Sequence, residues 1–289
     1  MTSKHSGTHK NPGFQARKRF GQNFLHDAGI IGRIIRAINP QPGQRIVEIG
    51  PGMGALTQDL IAAAGQLDVV ELDRDLIPIL RTNLFRHLDT LRVHEADALK
   101  FDFSSLLHEP AEQLRVVGNL PYNISTPLIF HLLSYQSRIK DMHFMLQKEV
   151  VERMAAGPGD NNYGRLSIMT QYYCQVVPLF LVGPGAFNPP PKVDSAIVRL
   201  APYTELPHPA QSLPALDLVV RTAFSQRRKT LRNTLKPLLE ASHIESLGIN
   251  PGDRPEHLSL QDYVRLSDLY FQLHPTPVTD TTDGSGAAE

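Results

Sequence analysis

Arg45-Ile46-Val47-Glu48-Ile49-Gly50-Pro51-Gly52-Met53-Gly54-Ala55 reads as a short, β-branched strand that runs directly into a glycine-rich turn. Leu56, Leu60, Ile61 and Ala64 then recur at helical spacing, and Gly65 closes the segment. Glycines in such a turn let a ligand approach the backbone, and the helix that follows offers its N-terminal amides. The alternation repeats downstream. Leu67 to Leu72 is a strand ending at Glu71, Leu76 to Leu84 is helical, Leu91 to Glu95 is a third strand ending near Asp97, and Leu114 to Gly118 is a fourth ending at Asn119. Strands alternating with helices predict an α/β fold with a mainly parallel sheet covered on both faces. Ligands of such sheets lie outside the carboxyl ends of the strands. Gly50, Glu71, Asp97 and Asn119 all fall at that edge, one from each of four successive strands. Ordinary turn formation would have to account for the four positions separately.

Upstream, Asp27 is placed to cap a helix to about Ile38, which Pro40 and Pro42 stop. Beyond the fourth strand, Ser125 or Thr126 is expected to cap a helix, Met142 to Leu146 to form a fifth strand, and 147–155 and 163–173 to be helical. Gln175 to Val182 and Ala196 to Leu200 read as an antiparallel pair ending the sheet. Between them, Gly183 to Pro191 is a rigid loop long enough to reach back over the active edge. Prolines 202, 207, 209 and 214 mark a linker, after which the pattern is purely helical. The expected organisation is a basic flexible arm over 1–19, an α/β domain over 20–207, a smaller helical domain over 208–274 and a disordered tail over 275–289.

Composition narrows the function classes. No apolar run approaches the ~18 residues of a membrane span, and the longest, Val176 to Val182, contains Pro178. No apolar signal core opens the chain, and Cys174 as the single cysteine excludes internal disulfides and multi-cysteine metal clusters. A reducing, cytoplasmic setting fits. The histidines show neither metal spacing nor a triad, so no metal is expected. The formal net charge is zero, but 1–20 carries +5 and 218–239 carries +6, which leaves −11 on the remainder. Two basic arms on an acidic body suit a protein of which only part meets phosphate. Within the second arm, Leu231, Leu235 and Leu238 form an apolar stripe beside a basic one of Lys229, Arg232 and Lys236, with Pro237 placed to break the helix. Arg228 falls on the apolar stripe, where its stem can pack instead.

Val117-Gly118-Asn119-Leu120-Pro121-Tyr122 carries the chemistry. The Asn119 carboxamide and the Leu120 carbonyl can accept from one amino group while the Tyr122 ring lies flat over the plane that bears it. This suits the exocyclic amine of a nucleobase; the alternative is a common strand-to-loop turn. Gly50, Gly52 and Ala55 also satisfy a dinucleotide-binding pattern, with Glu71 where a ribose-binding acid belongs. A nicotinamide enzyme explains that half, but neither the Asn119 turn nor the basic helical segment. S-adenosylmethionine, a nucleoside cofactor without pyrophosphate, needs the same acid and can use Asp97 for its adenine amino group.

Six ordered motifs then carry a resemblance. Lys18-Arg19-Phe20-Gly21-Gln22-Asn23-Phe24-Leu25, Glu48 to Gly54, Glu71-Leu72-Asp73, Asp97-Ala98-Leu99, Asn119 to Tyr122 and Phe187-Asn188-Pro189-Pro190-Pro191-Lys192-Val193-Asp194-Ser195 occur in the order and spacing of the ribosomal RNA adenine N6-dimethyltransferases. The chain resembles that family over about 17–272. The resemblance implies a Rossmann-like, S-adenosylmethionine-dependent methyltransferase sheet with an all-helical C-terminal domain. It implies cofactor binding by Asn23, Leu25, Gly50, Gly52, Glu71, Asp97 and Asn119. The implied substrate is a pair of adjacent adenosines in a hairpin near the 3′ end of 16S ribosomal RNA, within a small-subunit assembly particle. On this reading Asn119 and Leu120 orient the adenine amine, Tyr122 and Phe187 sandwich its ring, and Arg221, Arg227, Arg228, Lys229 and Arg232 meet RNA phosphate. A monomer is expected. A large-subunit RNA methyltransferase and a non-enzymatic assembly factor are the competing functions.

Overall fold

The computed structural model describes residues 22–226 and 228–275. The expected arm over 1–19, the tail from residue 276 and Arg227 lie outside the described residues. The chain runs through β1 (Phe24–Leu25), α1 (Ala28–Ile38), β2 (Arg45–Ile49), α2 (Thr57–Ala64), β3 (Leu67–Glu71), α3 (Leu76–Asn83), β4 (Leu91–Glu95) and β5 (Leu114–Asn119). It continues with α4 (Ser125–Leu133), β6 (Ile139–Gln147), α5 (Lys148–Ala155), α6 (Arg165–Tyr173), β7 (Cys174–Val182), β8 (Phe187–Asn188) and β9 (Ser195–Pro202). Helices α7 (Leu213–Ala223), α8 (Leu231–Thr234), α9 (Ala241–Ser246) and α10 (Leu260–Leu273) complete it.

Seven strands form one sheet in the order β4-β3-β2-β5-β6-β9-β7. Strands β2 to β6 are joined in parallel, and β9 runs antiparallel to both β6 and β7. The chain leaves β2 outward through β3 and β4 and then crosses back to β5, so the strand order reverses between β2 and β5. A crevice opens at the carboxyl ends of such a pair. Pro178 is tolerated because β7 is an edge strand, and the ladder to β9 is irregular between Pro178 and Phe180.

Local chemistry explains several element ends. The Asp27 carboxylate accepts from the Ile30 amide at 2.9 Å, and Asn39 ends α1 in the left-handed region at φ 47°. Helix α4 differs from expectation at its start. Ser125 lies inside its first turn, and its hydroxyl donates to the Tyr122 carbonyl at 3.1 Å instead of capping. Apolar residues of α1, α2 and α3 cover one face of the sheet, and those of α4 and α5 cover the other. A third cluster joins Tyr163, Ile168 and Tyr172 to Val219, Leu235, Ile244 and Leu266. The helical C-terminal part thus shares its core with α6, across the proline-rich linker.

The basic segment does not form the long two-striped helix that its periodicity predicts. Its first residues, to Ala223, belong to α7, and of those around the leucine stripe Leu231–Thr234 form the short helix α8, with Lys229 before it and Lys236 after it. The Leu231 and Arg232 amides donate to the carbonyls of Asp253 (2.8 Å) and Pro251 (2.9 Å), so a neighbouring loop takes the donors of the first turn. Leu231 and Leu235 are buried as expected, and Arg228 is exposed.

At the opposite end of the sheet, Arg115 of β5 and Asp141 of β6 form a buried two-pronged pair at 2.8 and 3.0 Å. Arg115 also donates to the Ile38 and Asn39 carbonyls and to Gln44 Oε1, which fixes the end of α1 to the sheet. Removing one partner leaves a buried, unopposed charge. Asp141→Ala is expected to lower the free energy of unfolding by about 3–5 kcal/mol, as read from urea denaturation.

Candidate active site

A cavity of about 350 Å³ opens beyond the carboxyl ends of β2 to β5. Asn23, Leu25, Gly50, Gly52, Glu71, Asp97 and Asn119 all line it, as do Leu120 and Tyr122. These residues are up to 99 positions apart in the chain, and the parallel register places them together. Backbone conformation explains the glycines. Gly50 and Gly52 sit at φ 65° and 56°, and a Cβ on Gly52 would stand 3.2 Å from the Phe24 ring. A side chain there would therefore be both strained and crowded.

Three acids surround the turn. The Glu71 carboxylate accepts from the Asp73 amide at 2.8 Å and from the Gly52 amide at 3.4 Å. Burial raises its pKa, against the lowering effect of those amides. Asp97 accepts from the Leu99 amide at 2.9 Å. Glu48 lies beneath the turn and accepts from the Thr57 hydroxyl at 2.6 Å. Burial pushes its carboxyl up to about 7, an effect that the Thr57 bond opposes and the neighbouring charge of Glu71 reinforces. Sequence reasoning missed Glu48 as a site residue. The available signal was one acid inside an otherwise apolar strand, Ile46-Val47-Glu48-Ile49. Gln22 was missed as well; its amide donates to Asp73 at 2.8 Å and it lines the cavity.

Asn119 is held in one orientation. Its Nδ2 donates to the Asn23 carbonyl at 3.1 Å. A carbonyl can only accept, so the amide cannot be reversed, and Oδ1 is left as an acceptor. The Leu120 amide donates to Met145 O at 3.2 Å, which continues the β5–β6 ladder through the turn. The Tyr122 hydroxyl lies 2.9 Å from Ser195 Oγ.

Phe187 is the exception among the expected catalytic residues. It does not line the cavity; it is 3 % exposed and packs in the core cluster with Leu25, Met145 and Ile197. Pairing of β8 with β1, Leu25 opposite Phe187, directs the ring inward. In this structure it supports the strand that carries Leu25 and gives an incoming base no open face. Arg221, Arg228, Lys229 and Arg232 are exposed and stand outside the cavity, on the helical part. Among the described residues no group of three or more His, Cys, Asp or Glu could hold a metal ion, and no helix is long and apolar enough to cross a membrane.

Residues 13–272 match the family model described as ribosomal RNA adenine dimethylase. The chain belongs to this family. Among its relatives, the ribosomal RNA small subunit methyltransferase A of Marinobacter nauticus is 64 % identical over 93 % of this chain and 94 % of its own. The protein of the same name from Pseudomonas aeruginosa is 63 % identical over 90 % and 96 %. The crystal structure of a dimethyladenosine transferase from Plasmodium falciparum superposes with a TM-score of 0.73 at 30 % identity, over 86 % of this chain and 98 % of that one. That of the 23S rRNA methyltransferase ErmE gives 0.67 at 26 % identity, over 86 % and 99 %. Members of the family are adenine-modifying enzymes, which agrees with an amide, a carbonyl and an aromatic ring placed beside a nucleoside-sized cavity.

Burial of Glu48 has a consequence for stability. With its pKa raised from 4.5 to about 7, the folded protein holds this proton more tightly than the unfolded chain does. Its contribution to stability is therefore full below the unfolded value and is lost as pH rises through about 7. Glu48→Gln is expected to stabilise the ligand-free protein at pH 8.5 by an amount on the order of 3 kcal/mol, and to have little effect near pH 4. Thermal unfolding of both proteins at the two pH values measures the difference.

Proposed function

We propose that the chain transfers methyl groups from S-adenosylmethionine to the N6 amino groups of two adjacent adenosines, dimethylating each, in a hairpin near the 3′ end of 16S ribosomal RNA during small-subunit assembly in the cytoplasm. The observation that carries this reading is the fixed Asn119 amide, which stands at the edge of a cavity whose floor holds buried carboxylates. The relatives in Marinobacter nauticus and Pseudomonas aeruginosa, both named for the small subunit, support the choice of RNA.

The cavity suits the methyl donor on its own chemistry. Two carboxyls raised by burial, Glu48 and Glu71, favour a cationic guest that relieves their desolvation. Glu71 is placed for ribose hydroxyls and Asp97 for an adenine amino group, while Asn23, Leu25, Gly50 and Gly52 form the remaining wall. When bound, S-adenosylmethionine supplies a methyl group made electrophilic by its sulfonium.

The chain's own part is orientation. An adenine amino nitrogen is a poor nucleophile because its lone pair is delocalised into the ring. Asn119 Oδ1 and the Leu120 carbonyl accept its two hydrogens and favour pyramidal nitrogen, so the rate comes from positioning and charge stabilisation rather than from a shifted base. The target base must leave its stack to enter, and Tyr122 gives it a face worth on the order of 1–3 kcal/mol. The exposed Arg221, Arg228, Lys229 and Arg232 hold RNA phosphates, as does Arg227, and the protein works as a monomer.

Asn119→Ala is expected to lower kcat by about a hundredfold or more with an unchanged unfolding transition; wild-type turnover would overturn the orienting role. Unmodified small-subunit particles should yield dimethyladenosine, as read by nucleoside mass analysis. Methylation of protein-free large-subunit RNA instead would favour the activity of the ErmE-like neighbour. Replacing Arg228, Lys229 and Arg232 together by alanine is expected to reduce the slope of log affinity against log salt by about 2, measured by RNA binding between 50 and 200 mM salt.

A further inference from the structure

Contacts around the reaction edge close into a ring. Asn119 is tied to the Asn23 carbonyl, and Leu25 pairs with Phe187. From Phe187 the proline-rich segment returns to Ser195, the first residue of β9, and Ser195 Oγ lies 2.9 Å from the Tyr122 hydroxyl. Tyr122 is three residues beyond Asn119, which completes the circuit. Ser195 is 1 % exposed and is held on both sides, opposite Gln147 of β6 and Val182 of β7. Its position is therefore set by the sheet. The Tyr122 ring, in the turn after β5, is only partly buried and has no such frame of its own. A buried hydroxyl is costly to leave unpaired, so the bond between them selects one orientation of the ring.

We propose that Ser195 is a positioning residue that fixes the Tyr122 ring as the platform for the target base, and that the second methylation of each adenosine depends on it more than the first. The inference rests on the function proposed above. In each transfer the N6–methyl bond forms as the sulfonium–methyl bond breaks, and one N6 proton leaves to water. An unmodified amine offers two hydrogens, one to Asn119 and one to Leu120. After one transfer a single hydrogen remains, so one of the two orienting contacts is gone. The stack on Tyr122 must then hold more of the geometry, and a ring free to tilt penalises this second step.

The test uses the full-length protein on unmodified small-subunit particles, with wild type, Ser195→Ala, Tyr122→Phe and the double variant. Single-turnover rates, the ratio of monomethyl- to dimethyladenosine by mass analysis, cofactor binding by calorimetry and thermal unfolding are measured for each. Ser195→Ala is expected to slow the second transfer about threefold to tenfold, to raise the monomethyl fraction and to leave cofactor affinity unchanged. Tyr122→Phe deletes the same bond while keeping the ring, so it should match Ser195→Ala, and the double variant should be no worse than either. It also carries the test if Ser195→Ala unfolds more readily. A wild-type product ratio in Tyr122→Phe, or losses that multiply in the double variant, would overturn the inference. A wild-type protein that makes no methylated adenosine would overturn the underlying function instead.

Discussion

Gly118 and Ile49 leave no room between them. A Cβ on Gly118 would stand 2.8 Å from the Ile49 carbonyl oxygen and 2.9 Å from the Leu120 side chain. Only a residue without a side chain lets β5 end this close to β2, at the point where the strand order reverses. The next residue on each strand is then decisive. Asn119 emerges beside Gly50, near enough that a Cβ on Gly50 would lie 3.9 Å from the Asn119 carbonyl. Asn119 and the glycine turn are thus neighbours because of one tight backbone approach.

Charge is handled differently at the two ends of the sheet. At the amino ends, Arg115 and Asp141 satisfy each other, and the remaining guanidinium donors reach α1. That cluster is complete without a ligand. At the carboxyl ends, Glu48 and Glu71 are buried, the charge of Glu71 adds to the difficulty of ionising Glu48, and a hydroxyl and a few amides compensate in part. Such unrelieved burial costs stability, and proteins retain it where a ligand supplies the missing charge.

The exposed basic residues follow another logic. A zero total charge suits a protein whose acidic residues include those lining the cavity and whose cations gather elsewhere. Arg228, Lys229 and Arg232 are displayed from turns and one short helix, stapled by the loop carrying Pro251 and Asp253. The core that anchors this display includes α6, so the basic face and the catalytic sheet are connected through shared packing.

The strands β2 to β5 and the four residues at or just beyond their ends, Gly50, Glu71, Asp97 and Asn119, were legible in the sequence. Runs such as Ile46-Val47 and Val69-Val70, bounded by glycine or proline, express backbone preferences within a few residues of themselves. The family motifs added Asn23 and Leu25, which no periodicity marks. What the sequence left open were events between distant segments. It could not show that the Leu231 and Arg232 amides would be taken by a loop twenty residues on, which fixes where this short helix starts. Nor could it place Phe187 in the core through pairing with Leu25, bury Glu48 under Thr57, or bring Ser195 to Tyr122. Those outcomes depend on register and packing across tens to hundreds of residues. Local sequence determined the elements and the chemistry at their ends; only the tertiary structure decided which side chains face the cavity, because burial and hydrogen-bond partners are set by what folds against them.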